Sequence, residues 1–190
     1  MSKFKKIVLW LLITSPFFGL FLLVSLTALG VFGDLPTFDQ LENPKNNLAT
    51  EIISEDGIVL GKYFFENRSR VRYNEIPENL INALISTEDV RFREHSGIDG
   101  RALLRAIVGA ITRKKNSGGA STITQQLSKM LFTKQPSSGT DRVMQKLKEW
   151  IIAAQLERRY TKDEILTMYL NRFDWVNNAV GIKSASHVYF

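Results

Sequence analysis

The chain has 190 residues, with 25 Lys and Arg against 19 Asp and Glu, 44% hydrophobic residues and no cysteine. That length suits one domain of ordinary size plus an anchor, and the hydrophobic content argues against disorder over most of it. Disulfides, thiolate zinc sites and cysteine nucleophiles are excluded, and His95 and His187 are too few for a histidine-rich metal site.

Three of the positive charges, Lys3, Lys5 and Lys6, precede an uncharged stretch from Ile7 to Phe32, and Asp34 follows it. Such a stretch is long enough to span a bilayer with some tilt. The lysines place residues 1–6 in the cytoplasm, 7–32 in the membrane and the remainder outside. A cleaved signal peptide is the competing reading, because Ala28-Leu29-Gly30 has a small-x-small form, but the apolar run exceeds the usual length of about 7–15 residues. Beyond Gly33 the balance falls to 22 basic against 19 acidic residues. This modest excess fits an anionic membrane surface or a phosphorylated substrate, and the topology counts against nucleic acid.

Residues 33–49, with Pro36 and Pro44, read as a linker. From Thr50 the pattern changes: Ile52-Ile53 and Ile58-Val59-Leu60 flank Glu55-Asp56-Gly57, an Asp-Gly hairpin signal. Tyr63-Phe64-Phe65 and Val71-Arg72-Tyr73 extend the expected β-element. Helical patterns then take over. Asn79–Ser86 leads into Glu88-Asp89, and Asp99 caps a helix through Arg113 with Leu103, Leu104, Ile107, Val108 and Ile111 as its apolar stripe. A basic, glycine-containing segment at residues 113–119 precedes a helix from Ser121 to Phe132. A long helix runs from Asp141 to Arg159, with Val143, Leu147, Ile151 and Ala154 as its expected buried stripe. Thr161-Lys162-Asp163-Glu164 has capping-box form and opens a helix to Asn171. Arg172–Phe190 carries mixed signals.

Three places invite chemistry. Glu88 ends an apolar helix, where desolvation raises a carboxyl pKa and suits it to proton transfer; an ordinary surface acid is the bland alternative. Gly118-Gly119-Ala120-Ser121-Thr122 enters a helix whose free N–H groups suit a phosphate, with Gln125, Gln126 and Lys129 continuing along it. Glu149 lies about 200° from Leu147 at ~100° per residue, among Arg142, Gln145 and Lys146, an arrangement that favours a charged acid. A solvated, salt-bridged face is the commoner explanation of that last pattern.

In order, Glu88-Asp89-x-x-Phe92-x-x-His95-x-Gly97, Gly119-Ala120-Ser121-Thr122-Ile123-Thr124-Gln125-Gln126, Lys146-Leu147-Lys148-Glu149 and Lys162-Asp163-Glu164-Ile165-Leu166-x-x-Tyr169-Leu170-Asn171 closely resemble the motifs of family 51 glycosyltransferases. These are the peptidoglycan glycosyltransferase domains of bifunctional penicillin-binding proteins and monofunctional transglycosylases. The resemblance covers 50–190, with Gly181-Ile182-x-x-Ala185 and Tyr189-Phe190 as a weaker fifth block. It departs at Gln145, where the family usually has Arg, and at Met130, where it usually has Asn. Family domains continue some tens of residues past Tyr-Phe, so the chain is expected to be C-terminally truncated.

The resemblance implies a mainly α, lysozyme-like domain with a small N-terminal β-element, preceded by one transmembrane helix and held outside the cytoplasmic membrane. It implies an inverting transferase that polymerises lipid II onto a growing glycan strand and releases undecaprenyl diphosphate. Glu88 is then the general base and Glu149 the second catalytic acid, on the diphosphate side, with Mg2+ or Mn2+ as a conceivable helper there. Ser121, Thr122, Gln125, Gln126, Lys129 and Lys146 match donor and diphosphate positions, with Asp89 and His95 also expected at the substrate. Lipid II, the strand, the membrane and other cell-wall synthesis proteins are the implied partners. Two alternatives stand beside this: a glycan-cleaving lysozyme-like enzyme, and an inactive scaffold that binds lipid II.

Overall fold

Thr161 opens its helix by the reciprocal device expected of it. Its hydroxyl accepts the Glu164 N–H while the Glu164 carboxylate accepts the Thr161 N–H at 2.7 Å. Asp99, Thr122 and Ser138 cap three more helices with side-chain oxygens that accept backbone N–H groups. The computed structural model describes residues 3–31, 33, 35–37, 50–56, 59–63, 67–68, 70–112, 119–133, 136–177 and 179–190. In chain order these form α1 (Lys3–Ala28), β1 (Thr50–Ile53), β2 (Val59–Tyr63), β3 (Asn67–Arg68), a 3-10 turn (Tyr73–Glu75), α2 (Glu78–Glu88), α3 (Gly100–Ile111), α4 (Ile123–Phe132), α5 (Gly139–Arg159), α6 (Lys162–Arg172), β4 (Ala179–Val180) and α7 (Ile182–Tyr189). The mainly helical character and the small N-terminal β-element match the expectation.

β1 and β2 pair antiparallel, with the register slipping between Ile52 and Ile53. Gly57 in the expected turn, Ile58 at the start of the strand expected after it, and Phe64 and Phe65 lie outside the described residues, as do most of the linker and residues 113–118. Val71–Tyr73 is not a strand. Val71 instead gives its backbone N–H to Asn171 Oδ1 and takes the Asn171 Nδ2 at its carbonyl, both at 2.9 Å. A side-chain amide thus imitates a strand partner, and the chain turns into the 3-10 segment.

The core gathers on α4, which packs against both α5 and α6. Phe92, Ile123, Leu127, Ile152, Leu156, Ile165, Leu166, Tyr169 and Leu170 form its centre. α4 is short, yet Thr124, Gln125 and Ser128 are buried beside Ile123 and Leu127. Each polar side chain therefore needs a partner. Thr124 bonds Glu157, Gln125 reaches the Gly97 carbonyl, and Ser128 bonds the Gln125 and Glu149 carbonyls.

One expected stripe is corrected, and a second takes a direction that the sequence leaves open. On α5 the buried residues are Leu147, Glu149, Ile152, Ala153 and Leu156, while Val143 is 53% exposed. The helix turns its Leu147–Leu156 side to α4, and that face includes the acid the sequence placed away from it. On α3 the apolar stripe points outward: Leu104 is 62% exposed, Ile111 76%, and Ile107 and Val108 are exposed as well. The residues of α3 that turn inward are the small ones, Ala102 and Gly109. The mixed C-terminal signals resolve into β4, which pairs parallel with β3 (Asn67 opposite Ala179, Arg68 opposite Val180), and α7.

α1 packs on α5. Among the described residues no helix is long and apolar enough to cross a membrane. Several side chains within α1, including those at 7–9 and 12–13, lie outside the described residues, so the anchor expected over 7–32 rests on its sequence.

Candidate active site

The loop from Asp89 to Asp99 is fixed before any cleft exists. Phe92 is fully buried in the core and pins it from within. The Asp89 carboxylate, buried at the end of α2, accepts the backbone N–H of Ile123 at 3.1 Å and meets His95 Nε2 at 3.0 Å. Gly97 has φ +89°, and a Cβ there would lie 3.0 Å from the Ala153 backbone, so only glycine allows the loop this close to α5. Its carbonyl takes the Thr122 hydroxyl at 2.7 Å and the Gln125 amide at 3.2 Å. Lys162 closes the far side, donating to the His95 carbonyl at 2.6 Å and to Glu157 at 2.8 Å while lying over the Phe92 ring.

Asp99 completes the loop. It accepts the Arg101 and Ala102 N–H groups at 3.0 Å each and pairs with Arg91 at 2.6 Å. Burial pushes its carboxyl up, but the Ala102 N–H, the Arg91 guanidinium and the Arg101 N–H together outweigh that and hold it below the usual carboxylate range.

On this frame lie two adjoining cavities. One, of about 370 Å³, is lined by Glu88, Arg91, Arg105 and Gly119 among others; the larger, of about 760 Å³, by Lys129, Arg142, Gln145, Lys146 and Glu149. Ser121 and Gln126 line both, so the two are parts of one cleft with a glutamate at each end.

The two glutamates have opposite surroundings. Glu88 is exposed, with Gln126 Nε2 donating to Oε2 at 2.8 Å. The desolvation expected at the end of an apolar helix falls instead on its neighbour Asp89. Glu149 is only 4% exposed, and both its oxygens are engaged: Lys146 Nζ at 2.8 Å from Oε2 and Gln145 Nε2 at 3.0 Å from Oε1. Lys146 also donates to Ser121 Oγ at 3.0 Å, and Gln145 to Thr133 Oγ1 at 3.1 Å. A buried carboxylate persists when cation and hydrogen-bond donors face it, which is what these two residues supply.

Of the residues expected at the substrate, Ser121, Gln126, Lys129 and Lys146 line the cleft. Gln125 lines it too, but its amide nitrogen serves Gly97. Asp89 and Thr122 line the smaller cavity but give their side-chain oxygens to the loop and the start of α4, while His95 lines neither cavity and reaches Asp89 through Nε2. Sequence reasoning gave no role to Tyr169, whose hydroxyl donates to Gln126 Oε1 at 3.0 Å. It also treated Gln145 as a lost cation, whereas the amide is a donor to Glu149.

A divalent cation fits neither acidic group as it stands. At Glu149 the carboxylate oxygens are occupied by an ammonium and an amide. Asp89, His95 and Asp99 bring ligand atoms within 4.8 Å of one another, but their carboxylates serve the Ile123 N–H, the α3 cap and Arg91.

A family model described as "Transglycosylase" matches residues 56–190. The chain is 41% identical to penicillin-binding protein 1F of Bacillus subtilis over 142 residues, 75% of this chain and 19% of that protein. It is 38% identical to penicillin-binding protein 1A of Escherichia coli and 35% identical to that of Pseudomonas aeruginosa, each over 156 residues, 82% of this chain and 18% of the relative. The chain thus spans about a fifth of the length of the curated relatives it matches.

Proposed function

The chain belongs to the transglycosylase family, and from that premise we propose that it is a membrane-anchored peptidoglycan glycosyltransferase that polymerises lipid II with inversion and releases undecaprenyl diphosphate. The observation that carries this reading is the single cleft with an exposed carboxylate at one end and a cationic group at the other. Glu88 accepts the proton of the acceptor sugar's 4-hydroxyl. The oxygen attacks the anomeric carbon of the growing strand, and the bond to the diphosphate breaks with its electrons passing to the leaving group. Lys146, Lys129 and Arg142 face that departing charge, and Ser121 lies at the junction of the two cavities. A hydroxyl nucleophile needs a base within reach, and an anionic leaving group needs fixed cations and N–H donors. A glycan hydrolase has no comparable use for the cationic end.

The uncharged run at 7–32 supports an anchor, with the domain on the extracytoplasmic side. The outward apolar face of α3 supports contact of the domain itself with lipid.

Purified protein in detergent with labelled lipid II is expected to yield polymeric glycan. Glu88→Gln is expected to lower the rate by about 100-fold or more while leaving the fold intact, since Glu88 is exposed. Lipid II binding without polymer would support a scaffold instead, and shortening of preformed glycan would support a hydrolase.

A further inference from the structure

Tyr169 is 2% exposed and its ring packs on Phe173 at 5.4 Å, deep in the core. Its hydroxyl nevertheless reaches a residue of the cleft wall, donating to Gln126 Oε1 at 3.0 Å. The Gln126 amide in turn donates through Nε2 to Glu88 Oε2 at 2.8 Å. The order of donors is forced by chemistry. An ionised carboxylate only accepts, so the amide must present its NH2 to Glu88, which leaves its carbonyl for the tyrosine hydroxyl.

We propose that Tyr169 is a positioning residue for the transfer reaction, holding Gln126 so that its amide fixes one oxygen of Glu88 and leaves the other free for the acceptor hydroxyl. This rests on the reading of Glu88 as the base. A glutamate on an exposed helix end samples several rotamers, and a glutamine side chain beside it does the same. The Tyr169 ring cannot, because the core packs it. The hydroxyl therefore transmits the rigidity of α6 through one amide to the carboxylate at the end of α2. Those elements meet here although Glu88 and Tyr169 lie far apart in sequence. Burial, and after it the charge of Glu88, pushes the Tyr169 phenol up to about 12, so it stays protonated and a donor at neutral pH.

Tyr169→Phe removes the hydroxyl and keeps the ring. In the full chain in detergent with labelled lipid II, kcat is expected to fall about tenfold with KM changed by less than about twofold. The acidic limb of the kcat/KM profile is expected to move to higher pH, because the charged carboxylate loses a fixed N–H donor. Arg91, Asp89, Asp99 and Arg105, which line the same cavity, are left in place and do not account for such a move. Gln126→Met, which keeps the length of a half-buried side chain, is expected to reproduce both effects and provides the test should Tyr169→Phe fold poorly. Wild-type kcat and pH profile in these variants, alongside an inactive Glu88→Gln, would overturn the tether while leaving Glu88 as base. A rise in KM alone would make Gln126 a substrate-binding residue and also overturn it. Undiminished polymerisation by Glu88→Gln would remove the underlying reading itself.

Discussion

Lys146 Nζ stands 2.8 Å from Glu149 Oε2, one turn earlier on the same helix, and the ammonium is the more exposed partner of the pair. The carboxylate is buried and the cation opens into the cleft, so an anion arriving there meets the ammonium first. Glu149 thereby keeps the cation oriented at Ser121 and the cleft wall. Gln145 completes the arrangement by taking the other carboxylate oxygen. A neutral amide suffices there, since one cation already balances the acid.

Lys146→Met leaves Glu149 buried without its cation. Breaking a buried pair by removing one partner costs about 3–5 kcal/mol, and the partial exposure of Lys146 brings the expectation down to about 1–3 kcal/mol. Thermal melts should show this loss. The double variant Lys146→Met/Glu149→Gln should recover most of the stability, because no uncompensated charge remains, yet stay poor in polymerisation. Recovery of activity together with stability would mean the pair is structural only.

Gly97→Ala is expected to destabilise the domain by roughly 1–3 kcal/mol, since its φ of +89° and the Ala153 backbone 3.0 Å from a Cβ act together. The same carbonyl anchors Thr122 and Gln125, so α4 should shift and activity fall in step with the melting temperature. An unchanged melt would show that the loop can move off α5 at little cost.

The phenol of Tyr169 gives a pH-dependent signal. Its folded pKa, raised by burial and then by Glu88 to about 12, exceeds the ordinary value of 10.0. The native state therefore holds the proton more tightly, and the associated stability is complete below about pH 10 and is lost as pH rises toward 12. In an absorbance titration of the folded protein, Tyr169 should ionise well above pH 10, and Tyr169→Phe should delete that step. Glu88→Gln should lower it only in part, because burial is the larger cause. A Glu88→Gln titration identical to the parent's would place the carboxylate farther from the phenol than Gln126 permits.

Much of this was legible from local signals. The caps at Asp99 and Thr161 and the hairpin pairing of β1 with β2 depend on residues close in sequence, and the four ordered motifs lie along one cleft and its supports. What failed was the assignment of faces. Periodicity finds an apolar stripe but not what it faces: on α3 Leu104 and Ile111 are exposed, and Ala102 and Gly109 turn inward. Charge rules put Glu149 outside, because its burial depends on the amide and ammonium that satisfy it. The same rules put the desolvation on Glu88, but Asp89 is the acid whose carboxylate reaches the Ile123 N–H. The β3–β4 pairing joins residues more than a hundred positions apart and leaves no local trace.

The outward stripe of α3 supplies the last prediction. Leu104, Ile107, Val108 and Ile111 are exposed together, flanked on the same helix by Arg101 and Arg105. An apolar face edged by cations suits the boundary of an anionic bilayer, where each buried Leu or Ile contributes roughly 1.5–3 kcal/mol and each nearby cation about 1 kcal/mol. The chain has no cysteine, so single probes can be introduced without background. In proteoliposomes, Leu104→Cys and Ile111→Cys should be protected from a membrane-impermeant maleimide, whereas Glu94→Cys, on the exposed loop before Asp99, should react freely. The contrast should persist whether or not lipid II is present, because the apolar face belongs to the fold rather than to the substrate. Equal labelling at all three positions would show that the stripe lies in water.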